Sequence, residues 1–187
     1  MKKIYVTLNQ VSYEFREEYE NIEVFLYSFV AFMIPLIFPH PQLLTGTIVN
    51  AFLIMAAFHF RGWKVLPLVM LPSVAAVLNG VLFGPFTIFL LYIIPIIWVG
   101  NFILVYLIKY IHIAKGVNYL IALGASALAK SALLFGAAFF LVNANVLPST
   151  FLTVMGIMQL VTAIAGGIVA YGLRFAYLYL LNIHRNS

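Results

Sequence analysis

From Ile22 onward the chain alternates long apolar runs with short breaks rich in proline, glycine, histidine or charge. The breaks are "PHPQ" (39–42), "RGWK" (61–64), "GP" (84–85), "HIAKG" (112–116) and "NANVLPST" (143–150). They bound six apolar spans at about 22–38, 43–60, 65–83, 86–110, 117–142 and 151–174, of 17 to 26 residues each. At 1.5 Å per residue such lengths cross ~30 Å of hydrocarbon. The pattern predicts an all-α integral membrane protein of six transmembrane helices. Pro35, Pro67, Pro72 and Pro95 fall inside spans and predict kinks, whose freed carbonyls neighbouring helices must satisfy.

Few polar residues interrupt the spans, and helical periodicity groups them. At 100° per residue, Gln42, Thr45, Gly46, Val49 and Asn50 share a face of the second span. Gln159, Thr162, Ala163, Gly166, Gly167 and Ala170 share one of the sixth, where small residues predict close backbone approach. A shorter echo links "QLLTGTIVN" (42–50) with "QLVTAIAGG" (159–167). Trp98 and Asn101 share a face of the fourth span, and Trp98 lies too deep for an interfacial belt. It reads either as core packing or as an aromatic wall beside an amide.

Lys130 is the sharpest of these positions. Between Val117 and Val142 it is the only charged residue. It lies ~20 Å from the start of its span, beyond the ~6 Å reach of a lysine stem to water. An ionisable group at that depth is a functional hypothesis, the plain alternative being a structural lysine held by Asn or Gln. Depth alone brings Asn50, Lys130 and Gln159 to one level, with Asn79, Asn143 and Asn145 above them. That arrangement predicts a pocket with a single cation on its floor.

Composition agrees and adds orientation. Hydrophobic residues make up 65% of the 187, and charged residues only 8%. There is no Asp, and all five Glu (14, 17, 18, 20 and 23) precede residue 24, leaving seven bases and no carboxylate beyond. Arg61, Lys64, Lys109, Lys115, Arg174 and Arg185 fall in the loops after the second and fourth spans and at the C-terminus, and none falls in the other loops. This bias predicts that both termini are cytoplasmic and that 39–42, 79–86 and 143–150 face outward. Bases scattered at helix ends argue against nucleic acid as a partner. "SYEFREEYENIE" (12–23) predicts a charged interfacial helix with Ser12 as N-cap, and the polar first 21 residues do not read as a cleavable signal.

The absence of cysteine excludes disulfides and thiolate chemistry. His40, His59, His112 and His184 lie at span ends, His40 on the opposite side from the rest, so no shared metal site is expected. With no acids in the spans after Glu23, an intramembrane enzyme is disfavoured. No catalytic residue and no cofactor is expected.

The segments "HPQLLTGTIVNAFL" (40–53), "LNGVLFGP" (78–85), "IPIIWVGN" (94–101) and "ALAKSALLF" (127–135), in a six-span chain of about 20 kDa, resemble the substrate-capturing S component of an energy-coupling factor vitamin transporter. The resemblance covers most of residues 22–174. It implies capture of one vitamin-like solute, and delivery by association with a transmembrane coupling subunit and two cytoplasmic ATPases.

The sequence therefore divides into a cytoplasmic or interfacial segment (1–21), one six-helix domain (22–181) and a cytoplasmic tail (182–187). The expected function is a substrate-binding subunit of a vitamin or micronutrient importer in the cell membrane, surrounded by lipid. Its solute is small, anionic or electron-rich, with an apolar or aromatic body. The expected ligand-binding residues are Lys130, Asn50, Gln159, Asn101, Trp98, Gln42, Thr45 and Asn79. The competing reading is a membrane scaffold whose polar residues only join helices.

Overall fold

The computed structural model describes the backbone of residues 2–12, 17–82 and 84–185, with side chains throughout these except at 2–3, 17–18 and 177–185. Residues 13–16 of the expected helix 12–23 and the last two of the 182–187 tail lie outside the described residues. Among the described residues there are eight α-helices: α1 (Lys2–Leu8), α2 (Glu17–Ile37), α3 (Gln42–His59), α4 (Leu66–Asn79), α5 (Leu90–Leu107), α6 (Tyr119–Asn143), α7 (Thr150–Met155) and α8 (Ile157–Arg185). Short 3-10 turns at Gly62–Val65 and Gly84–Phe89 lead into α4 and α5, and α5 runs on into a π-helical stretch, Ile108–Ala114. No strand occurs among the described residues.

Among the described residues six helical segments are long and apolar enough to cross a membrane: Tyr19–Ile37, Gln42–His59, Gly62–Asn79, Gly84–Ala114, Tyr119–Asn143 and Thr150–Ala176. Each overlaps one of the six expected spans. They form one bundle in which α3 packs on α8, α2 on α4, and α5 on α6. Large apolar side chains on the outer faces, among them Phe25, Phe29, Tyr92, Leu128, Phe140 and Ile168, are exposed, as lipid contact requires.

The α3–α8 seam shows why small residues are needed there. A Cβ on Gly166 would lie 2.6 Å from the Thr47 carbonyl oxygen and 2.7 Å from the Ala51 nitrogen. Only a hydrogen fits between these backbones. The α5–α6 seam is similar but softer, with Gly100 facing the Leu134 side chain.

Prolines act differently from one another. Pro35, Pro72 and Pro95 lie inside α2, α4 and α5. Pro67 instead occupies the first turn of α4, where its missing N–H would have had no partner, so the expected kink there is a helix start. The sixth span is broken at Gly156, between α7 and α8. There a Cβ would meet the Leu152 oxygen at 2.7 Å and a Phe135 ring carbon at 2.9 Å.

One expectation fails at the end of the bundle that holds Arg61, Lys64 and Lys115, here called the charged end. The Ser12 amide donates to the Phe58 carbonyl at 2.8 Å, and the residues it was expected to cap, 13–16, lie outside the described residues. The N-terminal segment folds against the bundle through Thr7 and Leu8, both buried. Lys109 is not a loop base. It is fully buried, and its ammonium donates to the carbonyls of Gln10 at 2.7 Å and Phe60 at 2.8 Å. Phe60 is the C-cap of α3, so the lysine satisfies a helix end and ties residues 9–12 to it.

Candidate functional site

The break at Gly156 leaves room between the helices toward the opposite, uncharged end. A cavity there is lined from α2, α3, α4, α5, α6, α7 and α8. Its volume is about 100 Å³. That is room for several waters or a small solute. Pro35, Leu43, Ala76, Leu82, Leu90 and Met158 give it apolar walls.

Polar groups converge on one part of the lining. Lys130, 2% exposed, donates to Asn50 Oδ1 at 2.6 Å. Asn50 Nδ2 donates in turn to the Gly46 carbonyl at 2.9 Å and to Thr162 Oγ1 at 3.2 Å. Thr162 passes its own proton to the Met158 carbonyl at 2.8 Å. The direction of this series of hydrogen bonds is fixed by Lys130, which can only donate. The ammonium has three protons, and Asn50 supplies the one hydrogen-bond acceptor it has among the described residues. No carboxylate lines the cavity.

The geometry of α8 adds to this potential. The helix begins at Ile157, and Met158, Gln159 and Thr162 of its first turns stand on the cavity wall. A helix N-terminus carries partial positive charge, of the same sign as the ammonium opposite. The site therefore favours an anion or a strong acceptor.

Of the eight residues expected to bind ligand, six line this cavity: Lys130, Asn50, Gln159, Asn101, Gln42 and Thr45. Two of them are committed to structure as well. Asn101 donates to the Val69 carbonyl at 3.0 Å, and Thr45 donates to the Phe38 carbonyl at 2.7 Å. Trp98 and Asn79 do not line the cavity. Trp98 stands behind Ser73, donating to its hydroxyl at 2.8 Å, and it is Ser73 that reaches the wall. Asn79 donates to the Leu36 carbonyl at 2.7 Å and accepts from the Val81 amide at 3.1 Å, closing the end of α2 onto that of α4.

None of the known protein families, curated proteins or solved structures compared with this chain matches it. The likeness to an S component thus has no support beyond the residues that suggested it. Sequence reasoning missed Thr162 and Ser73 as parts of the site. Thr162 was legible as a face-sharing neighbour of Gln159, but its bond to Asn50 depends on the register between α3 and α8. No group of three or more metal-ligating side chains occurs among the described residues.

Proposed function

We propose that this protein is a membrane solute-binding subunit that captures a small anionic or electron-rich molecule in the cavity ending on Lys130. The uncharged end faces outward across the cell membrane, as the distribution of basic residues suggests. The observation that carries the reading is a buried ammonium whose hydrogen-bond partner is a neutral amide, at the edge of a cavity with apolar walls. Its counter-ion is the solute's anionic group, and the apolar body lies toward Leu82, Leu90 and Met158. Delivery of the solute by separate coupling and ATPase subunits, as in an energy-coupling factor importer, fits a chain that has no nucleotide-binding motif of its own.

The 2.6 Å contact with Asn50 also favours a second reading, in which Lys130 is a strut between α6 and α3 and the protein is a scaffold. One experiment separates the two. The protein is purified from cells grown in rich medium, and small molecules released on denaturation are identified by mass spectrometry. An anionic solute with an apolar body is expected from the wild type. Lys130→Met keeps the stem's packing and removes the charge, and a lost buried charge pair costs about 2–5 kcal/mol, or roughly 30- to several-thousand-fold in affinity. Thermal stability without solute should stay level or rise, because an unpaired ammonium in an apolar bundle is unfavourable. If Lys130→Met unfolds the protein, the strut reading stands. Retention of a purely cationic solute would overturn the proposal outright.

A further inference from the structure

A second void opens at the charged end, away from Lys130, between the start of α6 and the later turns of α8. Its lining includes His112, Gly116, Asn118, Tyr119, Tyr171 and Arg174, and about 460 Å³ of it can be reached by the centre of a water molecule. Arg174 is the first charged residue of α8. Its guanidinium carbon stands 4.6 Å over the Phe58 ring, and one amino group donates to His112 Nε2 at 3.2 Å. His112 Nδ1 lies 2.8 Å from the Val117 carbonyl, which can only accept. The ring is therefore a donor at Nδ1 and an acceptor at Nε2, and it leaves the arginine's charge uncompensated.

Arg174 Nε is buried and has no hydrogen-bond partner. An arginine presents five donors in a planar fork suited to phosphate oxygens, and His112 takes one of them. No carboxylate stands among the residues that line the void. Lys115, next to Gly116, adds a second cation, held 4.6 Å over the Tyr110 ring. The start of α6 lends its partial positive charge to the same side.

The surroundings decide what kind of anion belongs here. Leu120, Tyr171 and Phe175 are exposed around the void, and the helices bearing them are membrane-spanning at these residues. A soluble anion gains nothing from such flanks, whereas a ligand with a phosphate and hydrocarbon chains satisfies both. Basic pockets between helices at a membrane face bind lipid head groups on this principle. We infer that the void between α6 and α8 is a binding site for an anionic phospholipid, its phosphate on Arg174 and its chains along Leu120, Tyr171 and Phe175. It is independent of the cavity at Lys130.

The test uses the full chain in detergent, with native mass spectrometry counting retained lipid. Phosphatidylglycerol, phosphatidylcholine of the same chain length and inorganic phosphate are the probes. Phosphatidylglycerol should be retained at least about tenfold better than phosphatidylcholine. Arg174→Gln should weaken that retention roughly 10- to 100-fold, the range for a charge-assisted hydrogen bond. Should Arg174→Gln fail to fold, Asn118→Asp carries the test. Asn118 Oδ1 caps α6 by accepting from the Leu120 amide at 2.9 Å, a bond a carboxylate makes equally well. The variant keeps the fold, sets a negative charge at the mouth and should also weaken phosphatidylglycerol. Equal retention of the two lipids, or unchanged retention in the folded variants, would overturn the inference. So would displacement of the lipid by inorganic phosphate at matching concentration, which would mark a site for soluble anions.

Discussion

Asn50 faces two ways, accepting from Lys130 through its oxygen and donating to Gly46 and Thr162 through its nitrogen. Its amide can partner the ammonium but cannot neutralise it. Asn50→Asp would place a carboxylate at the same 2.6 Å contact and pair the charge internally. The variant should lose an anionic solute by at least about tenfold, since the lysine no longer needs one. Its second carboxylate oxygen would oppose the Gly46 carbonyl where Nδ2 now donates at 2.9 Å, so the melting temperature without solute should not rise despite the new ion pair. Solute retained by Asn50→Asp at the wild-type level would show that Lys130 is not its counter-charge. Together with Lys130→Met, this separates removing the charge from satisfying it.

Between elements, two contacts make opposite demands. Along α3 and α8 the demand is for absence, because at Gly166 any side chain meets backbone rather than a movable group. Gly166→Ala should destabilise the bundle by about 1–3 kcal/mol or more through overpacking. Thermal unfolding in detergent reads this directly, and an unchanged midpoint would mean that the helices separate freely. At the other end of α3 the demand is for a long cation. Lys109→Met would leave the Gln10 and Phe60 carbonyls without their donor at a cost of about 1–3 kcal/mol per buried group. Because Gln10 belongs to the N-terminal segment, the effect should concentrate there. Amide exchange at residues 7–12 should speed up while that of α5 and α6 stays near the wild type. Uniform acceleration across all helices would assign Lys109 to the core rather than to this clasp.

Over the whole molecule, charge is segregated along the bundle axis. Glu20 accepts from the Arg61 amide at 2.6 Å and from the Lys64 ammonium at 2.9 Å, all at one end. The other end exposes Asn143, Ala144 and Asn145 and holds no Lys, Arg, Asp or Glu in its three connections. Such asymmetry sets orientation in a bilayer. The chain has no cysteine, so single-cysteine variants report without background. A membrane-impermeant thiol reagent added outside the cell should label Ala144→Cys and spare Lys115→Cys, both at exposed positions. The reverse pattern would turn the Lys130 cavity toward the cytoplasm and remove the capture function with it.

The sequence by itself determined the number, length and approximate limits of the membrane segments. Hydrocarbon thickness sets a minimum apolar length, and each break carries its own polar or helix-breaking residues. It also determined that Lys130 would be buried without an acid, since that follows from counting carboxylates. Periodicity brought Gln42, Thr45 and Asn50 to one face, and six of the eight chosen residues reached one cavity. What the tertiary structure decided is which neutral group each buried donor meets. Trp98 and Asn101 share a helix face, yet Asn101 reaches the cavity while Trp98 stops behind Ser73. Lys109 read as a loop base because its neighbours along the chain, from Ile108 to Lys115, gave no sign of the Phe60 carbonyl that it caps. The physical reason is common to these cases. Burial in lipid is a property of composition along a segment, whereas a hydrogen bond between helices depends on their rotation and axial register, which small residues such as Gly166 set through contacts distant in sequence.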